Sequence, residues 1–321
     1  MKIGVIVVLV VSSVLVVVLG MRDSSVQKGA SFEYESSEGV SHSIELDQIL
    51  DGGPGKDGIP ALTNPEFTTI ENADESIDDT VHGILVIVGN DVRYYPYNIL
   101  VWHEIVNDVV GGAPLIVTFC PLCGSAIVYE STINKKVEQF GVSGKLYNSN
   151  LLMYDKTTES LWSQIEGAAV VGKMTGTKLK LYPSQVVSFR VLRDKFPQAR
   201  VLSARTGHIR DYARSPYSNY NDTDSLYFPV EIDDTRLPKK EIMYVVNFNN
   251  RSVAFKLSDL KPQNPATVDV EGMRLTVTLN NGLIEARDDQ GVVYPSYHSM
   301  WFVWAAYHQK DGIVWTASGQ R

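Results

Sequence analysis

Cysteine is almost missing from this chain: two residues in 321. That excludes a framework of several disulfides, and it excludes a closed zinc site made of four cysteines. Positive charge is short as well. Lys and Arg total 29 against 37 Asp and Glu, a net charge of −8. With no basic excess to hold a phosphate backbone, nucleic acid is excluded as a partner. There is no G-x-S-x-G, no phosphate-binding glycine loop and no H-E-x-x-H. HEIVND at 103–108 opens like a zinc-protease helix but lacks the second His.

What is present begins with an apolar run. Residues 3–19, IGVIVVLVVSSVLVVVL, carry no charge, follow Lys2 and precede GMRDSS. The run is long for a signal-peptide core and slightly short for a full span, and no A-x-A cleavage site follows it. Residues 1–20 read as an uncleaved signal anchor, with a cleaved signal peptide as the alternative. Either one exports the rest. The expectation is a protein held to the membrane by its N-terminal segment, its body extracytoplasmic, at a cell surface or in a periplasm. Residues 21–55, polar and rich in Ser and Gly, read as a flexible tether.

The remainder reads as short strands with occasional helices, an α+β, mostly β body; 44% hydrophobic against 21% charged residues allow it a real core. GILVIVG, the turn NDV and RYYP form a hairpin pattern. Pro96 is placed to open a helix through YNILVWHEIVND, which Gly111 and Gly112 stop. APLIVTF and SAIVYE alternate like strands on either side of the cysteines. VEQFGVSG, NLLMYD and SLWSQI continue the series, and residues 183–197 read as an amphipathic helix.

The chain also matches itself. Shifted by 160 residues, VIVGNDVRYYPYNIL lies over VNFNNRSVAFKLSDL without a gap. Gly112, Leu115, Val117, Thr118 and Ala126 then meet Gly272, Leu275, Val277, Thr278 and Ala286. This predicts two related β-rich modules, an internal duplication. A division follows: 56–225 as the first module, 226–321 as a second, degenerate one, together forming one compact exported body. In the second copy CPL is replaced by NNG at 280–282, and His103 by Gln263. Asn-Gly is a strong turn signal, so the turn is expected to form without cysteine and the thiols to serve a site.

Two chemistries fit CPLC at 120–123. A strand–CPxCG–strand arrangement suits a metal knuckle, because Pro and Gly bend the backbone so that both sulfurs converge. Cys120 and Cys123 would then need further ligands, and His103 and Met153 are the candidates, with copper or zinc as the ion. Asp155, Glu159 and Gln164 are further polar candidates nearby. The alternative is an extracytoplasmic thiol–disulfide redox protein or enzyme in which Cys120 and Cys123 cycle. The metal-binding module is the leading expectation. No protein partner can be named from these residues.

DGIPAL, WHEIVND, VTFCPLCGSAIV, FGVSGKLYNSNLLMYD and ESLWSQ are similar to the hallmark blocks of the domain of unknown function 3179 family. The resemblance runs from Asp57 to WFVWAAYH near the C-terminus, where the match is looser. It implies an exported or membrane-tethered domain and carries over no catalytic residues.

Overall fold

Alternation along two strands decides where the cysteines sit. In Ala113–Cys120 and its antiparallel partner Ser125–Glu130, successive side chains point to opposite faces. Ile116, Cys120, Ile127 and Tyr129 enter one core, while Leu115, Val117, Phe119, Ala126 and Val128 enter another. Both strands are therefore covered on both sides, which is why they read as nearly continuous apolar runs.

The computed structural model describes residues 39–217, 219–317 and 319–320. The expected anchor, and the tether up to residue 38, lie outside them. The fold is mostly β, with a nine-stranded sheet at its centre. Its order is Leu62–Thr63, Ile105–Val110, Ala113–Cys120, Ser125–Glu130, Ser296–Met300, Ile242–Phe248, Arg251–Lys256, Gly312–Thr316 and Gly319–Gln320. One face packs on a five-stranded sheet built around Phe140–Tyr147, Asn150–Asp155 and Leu161–Ser163. The shared core there holds Cys120, Cys123, Phe140, Val142, Met153 and Trp162. The other face carries two covers. The hairpin His82–Val88 and Asp91–Pro96 lies over the cysteine strands. The meander Ala266–Val270, Met273–Asn280 and Leu283–Asp288 lies over the other half.

Core positions recur along the chain. Ile84, Val86, Tyr95, Leu100, Val110 and Leu115 in one core stand 160 residues before Tyr244, Val246, Phe255, Leu260, Val270 and Leu275 in another. The constant offset ends at the cysteines. Cys120 pairs with Ser125 across four residues, whereas Asn280 pairs with Leu283 across Asn281 and Gly282 alone. Those two have φ of 52° and 85°, the tight hairpin conformation that Asn-Gly favours. Beyond the turn, Ala126 and Val128 answer to Ile284 and Ala286, so the Ala126–Ala286 match is a coincidence. The expectation that one turn serves both copies is corrected. The cysteine loop is two residues longer, and its fold differs.

The helix expected through residue 108 is only Tyr97–Leu100. Glu104 adopts a left-handed φ of 56°, which ends any helix, and the Ile- and Val-rich Ile105–Val110 leaves as a buried strand. Within 183–197, Gln185–Ser188 is a strand paired with His82–Val88, and the helix is Phe189–Lys195, capped by the Ser188 hydroxyl. The tether is also shorter than 21–55: Ser43 N donates to Val170 O at 2.9 Å, and Leu50–Asp51 pairs with Phe140–Tyr147. Residues 203–241 hold a single short 3-10 turn, Tyr220–Asp222, among those described. A segment that long without regular structure is uncommon in a compact fold, and this one crosses the cysteine loop like a strap, with Tyr220 OH on Leu122 O.

Candidate functional site

The four-residue loop folds the cysteines onto each other. Cys123 N donates to Cys120 O at 3.1 Å, and Gly124 takes a φ of 56° before the chain re-enters the sheet. The sulfurs then meet: the Cys120 thiol donates to Cys123 Sγ at 2.9 Å, and the Cys123 thiol donates to Ser149 O at 3.1 Å. Both cysteines are free and buried. Met300 N donates to Cys123 O at 2.8 Å, and Tyr220 OH donates to Leu122 O at 2.9 Å. The loop is thus held by the far end of the chain on one side and by the strap on the other.

A polar network lies behind Cys123. Asn150 Nδ2 reaches Cys123 Sγ at 3.4 Å and Gln164 Oε1 at 3.0 Å. Gln164 also accepts from Ser125 Oγ at 2.7 Å and donates to Thr118 Oγ1 at 2.9 Å. These amides and hydroxyls are buried and satisfy one another, which holds the loop in one conformation.

In front of Cys120 is a cavity of about 190 Å³. Its walls are mainly apolar, among them Ile59, Leu122, Val142, Leu151 and Phe228. Glu104 shares it with Cys120, and it is a residue the sequence reading passed over. Phe119 N donates to Glu104 O at 2.8 Å, so the strand pairing itself brings Glu104 beside the cysteine. Burial pushes the Glu104 carboxyl up to about 8, opposed by a hydrogen bond from Tyr217 OH at 3.4 Å. Burial likewise raises the Cys120 thiol well above its ordinary range, helped by its contact with Cys123 and by the charges of Cys123 and Glu104. No helix starts after this loop, so no helix dipole lowers a thiol as in a strand–helix CxxC. The one visible signal for Glu104 was its place in HEIVND, between His103 and the apolar pair Ile105 and Val106.

His103 does not join the cysteines. Its Nδ1 bonds Pro60 O at 2.8 Å and its Nε2 bonds Tyr212 OH at 2.7 Å. A carbonyl only accepts, so Nδ1 carries the proton and Nε2 accepts from Tyr212; neither nitrogen is left for a metal. Met153 is buried in the same core as the cysteines, with Val142 and Trp162 as its register partners. Asp155 accepts from Thr158 and from Trp162 Nε1 at 3.0 Å, and Glu159 pairs with Lys56 at 2.6 Å; both serve local structure. Gln164 alone of these polar candidates reaches the cysteine loop. Among the described residues no group of three or more His, Cys, Asp or Glu is placed to hold a metal ion. The expected Cys120–Cys123–His103 ligand set is therefore corrected to a pair.

The fold and loop together define a class: a layered β protein with a buried, strand-flanked dithiol facing a protonatable carboxyl. The model of a family described as "Protein of unknown function (DUF3179)" matches residues 56–295, well over half of the chain. The chain belongs to that family. No curated protein and no solved structure matches it.

Proposed function

We propose that the protein is a thiol–disulfide exchange protein in which Cys120 and Cys123 cycle between dithiol and disulfide. The observation that carries this reading is the contact of two free sulfurs, 2.9 Å apart, behind a cavity that also holds Glu104. Cys120 lines the cavity and is the attacking sulfur. Ionised Glu104 takes its proton, and the thiolate attacks one sulfur of an incoming disulfide. That S–S bond breaks, a mixed disulfide forms on Cys120, and the leaving thiolate is protonated. Cys123 then attacks Cys120 Sγ and releases the second thiol. One substrate disulfide becomes two thiols, and the protein's dithiol becomes a disulfide; two electrons and two protons pass between them. The reverse reaction oxidises a substrate dithiol. Amides and backbone around Cys123 fix the loop so that closure needs little movement.

The test is thiol counting on the purified protein, reduced and then exposed to a small disulfide, with mass measurement of the loop peptide. Two thiols lost together, with no added mass, support the reading; two thiols retained overturn it. Elemental analysis of the same sample addresses the metal expectation. Copper or zinc at one ion per chain, bound through Cys120 and Cys123, would replace the exchange reading with a metal-binding one. Placement of this chemistry outside the cytoplasm, tethered by residues 1–20, is part of the proposal and rests on the apolar run.

A further inference from the structure

The cavity in front of Cys120 differs from a general thiol site in what it lacks. Its walls are Ile59, Leu122, Val142, Leu146, Leu151 and Phe228, with few polar groups among the remaining lining residues. Among the described residues, two ionisable groups besides the cysteine and two tyrosines lie on it. Lys145 is held by Asp51, with Nζ to Oδ2 at 2.9 Å, and Glu104 is buried with Tyr217 OH as its hydrogen-bond partner. A charged group entering here would leave water, and the two ionisable side chains it would meet are already engaged, Lys145 by Asp51 and Glu104 by Tyr217, so little of that loss is returned. An apolar group would lose nothing and would displace water from an apolar wall.

Resting on the exchange reading, we infer that the site selects disulfides and thiols that are uncharged and apolar next to the sulfur, and rejects those flanked by charge. The volume of about 190 Å³ suits a substituent no larger than a single amino-acid side chain. Phe228 and Tyr227, both from the strap, close the outer side, and Tyr227 is 49% exposed. Its ring meets Tyr220 edge-on at 4.6 Å, so Tyr227 is the lining position where a charge can be placed at the cavity's exposed rim.

The experiment measures oxidation of the reduced full-length protein by three symmetric disulfides of similar size: diethyl disulfide, cystamine and dithiodipropionate. Each rate is divided by that probe's rate with free N-acetylcysteine. Diethyl disulfide should be favoured over both charged probes by at least about tenfold, the smallest ratio expected for burying an unpaired charge. Tyr227→Glu should raise the relative rate for cystamine, and Tyr227→Lys that for dithiodipropionate, each by at least about threefold through charge pairing at the rim. Equal rates for all three probes, or no response to either substitution, would overturn the selectivity and leave exchange intact. If none of the probes oxidises the pair, the exchange reading itself fails and this inference with it.

Discussion

Glu104, in a left-handed turn just ahead of Ile105–Val110, and Cys120, at the end of the adjacent strand, line the same cavity. The turn ends the helical run and leaves the carboxyl on a wall that the thiol shares. A carboxyl that titrates at about 8 is protonated at neutral pH and becomes a base just above it. Exchange with a neutral disulfide should therefore accelerate through pH 8. Glu104→Gln should remove that rise and slow exchange about a hundredfold at alkaline pH, as loss of a positioned base does. Stopped-flow rates across pH for both proteins check it; an unchanged profile assigns Glu104 no part in proton transfer.

The same carboxyl sets the alkaline side of stability. Its folded pKa is raised from 4.5 to about 8, so its stabilising effect is complete below 4.5 and is lost as pH rises through 8. Two histidines act with the opposite sign. Burial lowers His103 and His298 from 6.5 to about 4, so their contribution is present above 6.5 and is lost as pH falls through 4. Thermal unfolding should show highest stability between these limbs. Glu104→Gln should flatten the alkaline limb and His298→Gln the acid one.

Replacing both cysteines by alanine should cost about 1–3 kcal/mol, from small cavities and the lost partners of Ser149 O and Asn150 Nδ2. The fold should survive, because the loop's carbonyls still bond Met300 N and Tyr220 OH. Chemical denaturation measures the change. Wild type should shift its midpoint when a reductant is added, and the double variant should not.

Lys240 fastens the strap. Its Nζ donates to Tyr220 O, to Thr223 O at 2.6 Å and to Ser225 O at 2.8 Å, and it sits 3.5 Å over the Tyr220 ring. Lys240→Met frees three carbonyls and should loosen Tyr220 from Leu122. Alkylation of Cys120 by iodoacetamide should then quicken by about tenfold, the effect of removing roughly 1.4 kcal/mol of closure. An unchanged alkylation rate would show that the strap does not control access.

Export can be tested on intact cells. A protease added outside should digest the body while the protein stays in the membrane fraction after alkaline extraction. Protection of the body would contradict export.

How far the sequence led depended on how local each feature was. The strands around the cysteines were readable because Val, Ile and Ala runs broken by Gly and Pro are set by neighbouring residues. The turn was readable as a turn, but its length was not, since the match at Ala126 and Ala286 concealed a slip of two positions. His103 looked like a ligand because it stands near the cysteine strand; its partners Pro60 O and Tyr212 OH lie 43 and 109 residues away, beyond any local pattern. Tyr217 and Tyr220 come from nearly a hundred residues along the chain, and no periodicity connects them to the loop they cover.

The strand Ser296–Met300 has a further meaning for the order of synthesis. It is the neighbour of Ser125–Glu130 in the sheet, with His298 opposite Ala126, and its last amide closes on Cys123 O. The residues that follow it, Trp301–Ala305 and Val314, join the same core as the thiols and arrive later still. A growing polypeptide therefore carries its dithiol with one edge open for some 170 residues after Cys123 has been made, until this late strand docks. During that interval, any oxidant or helper that meets the chain finds the pair reachable in a way the finished protein no longer allows.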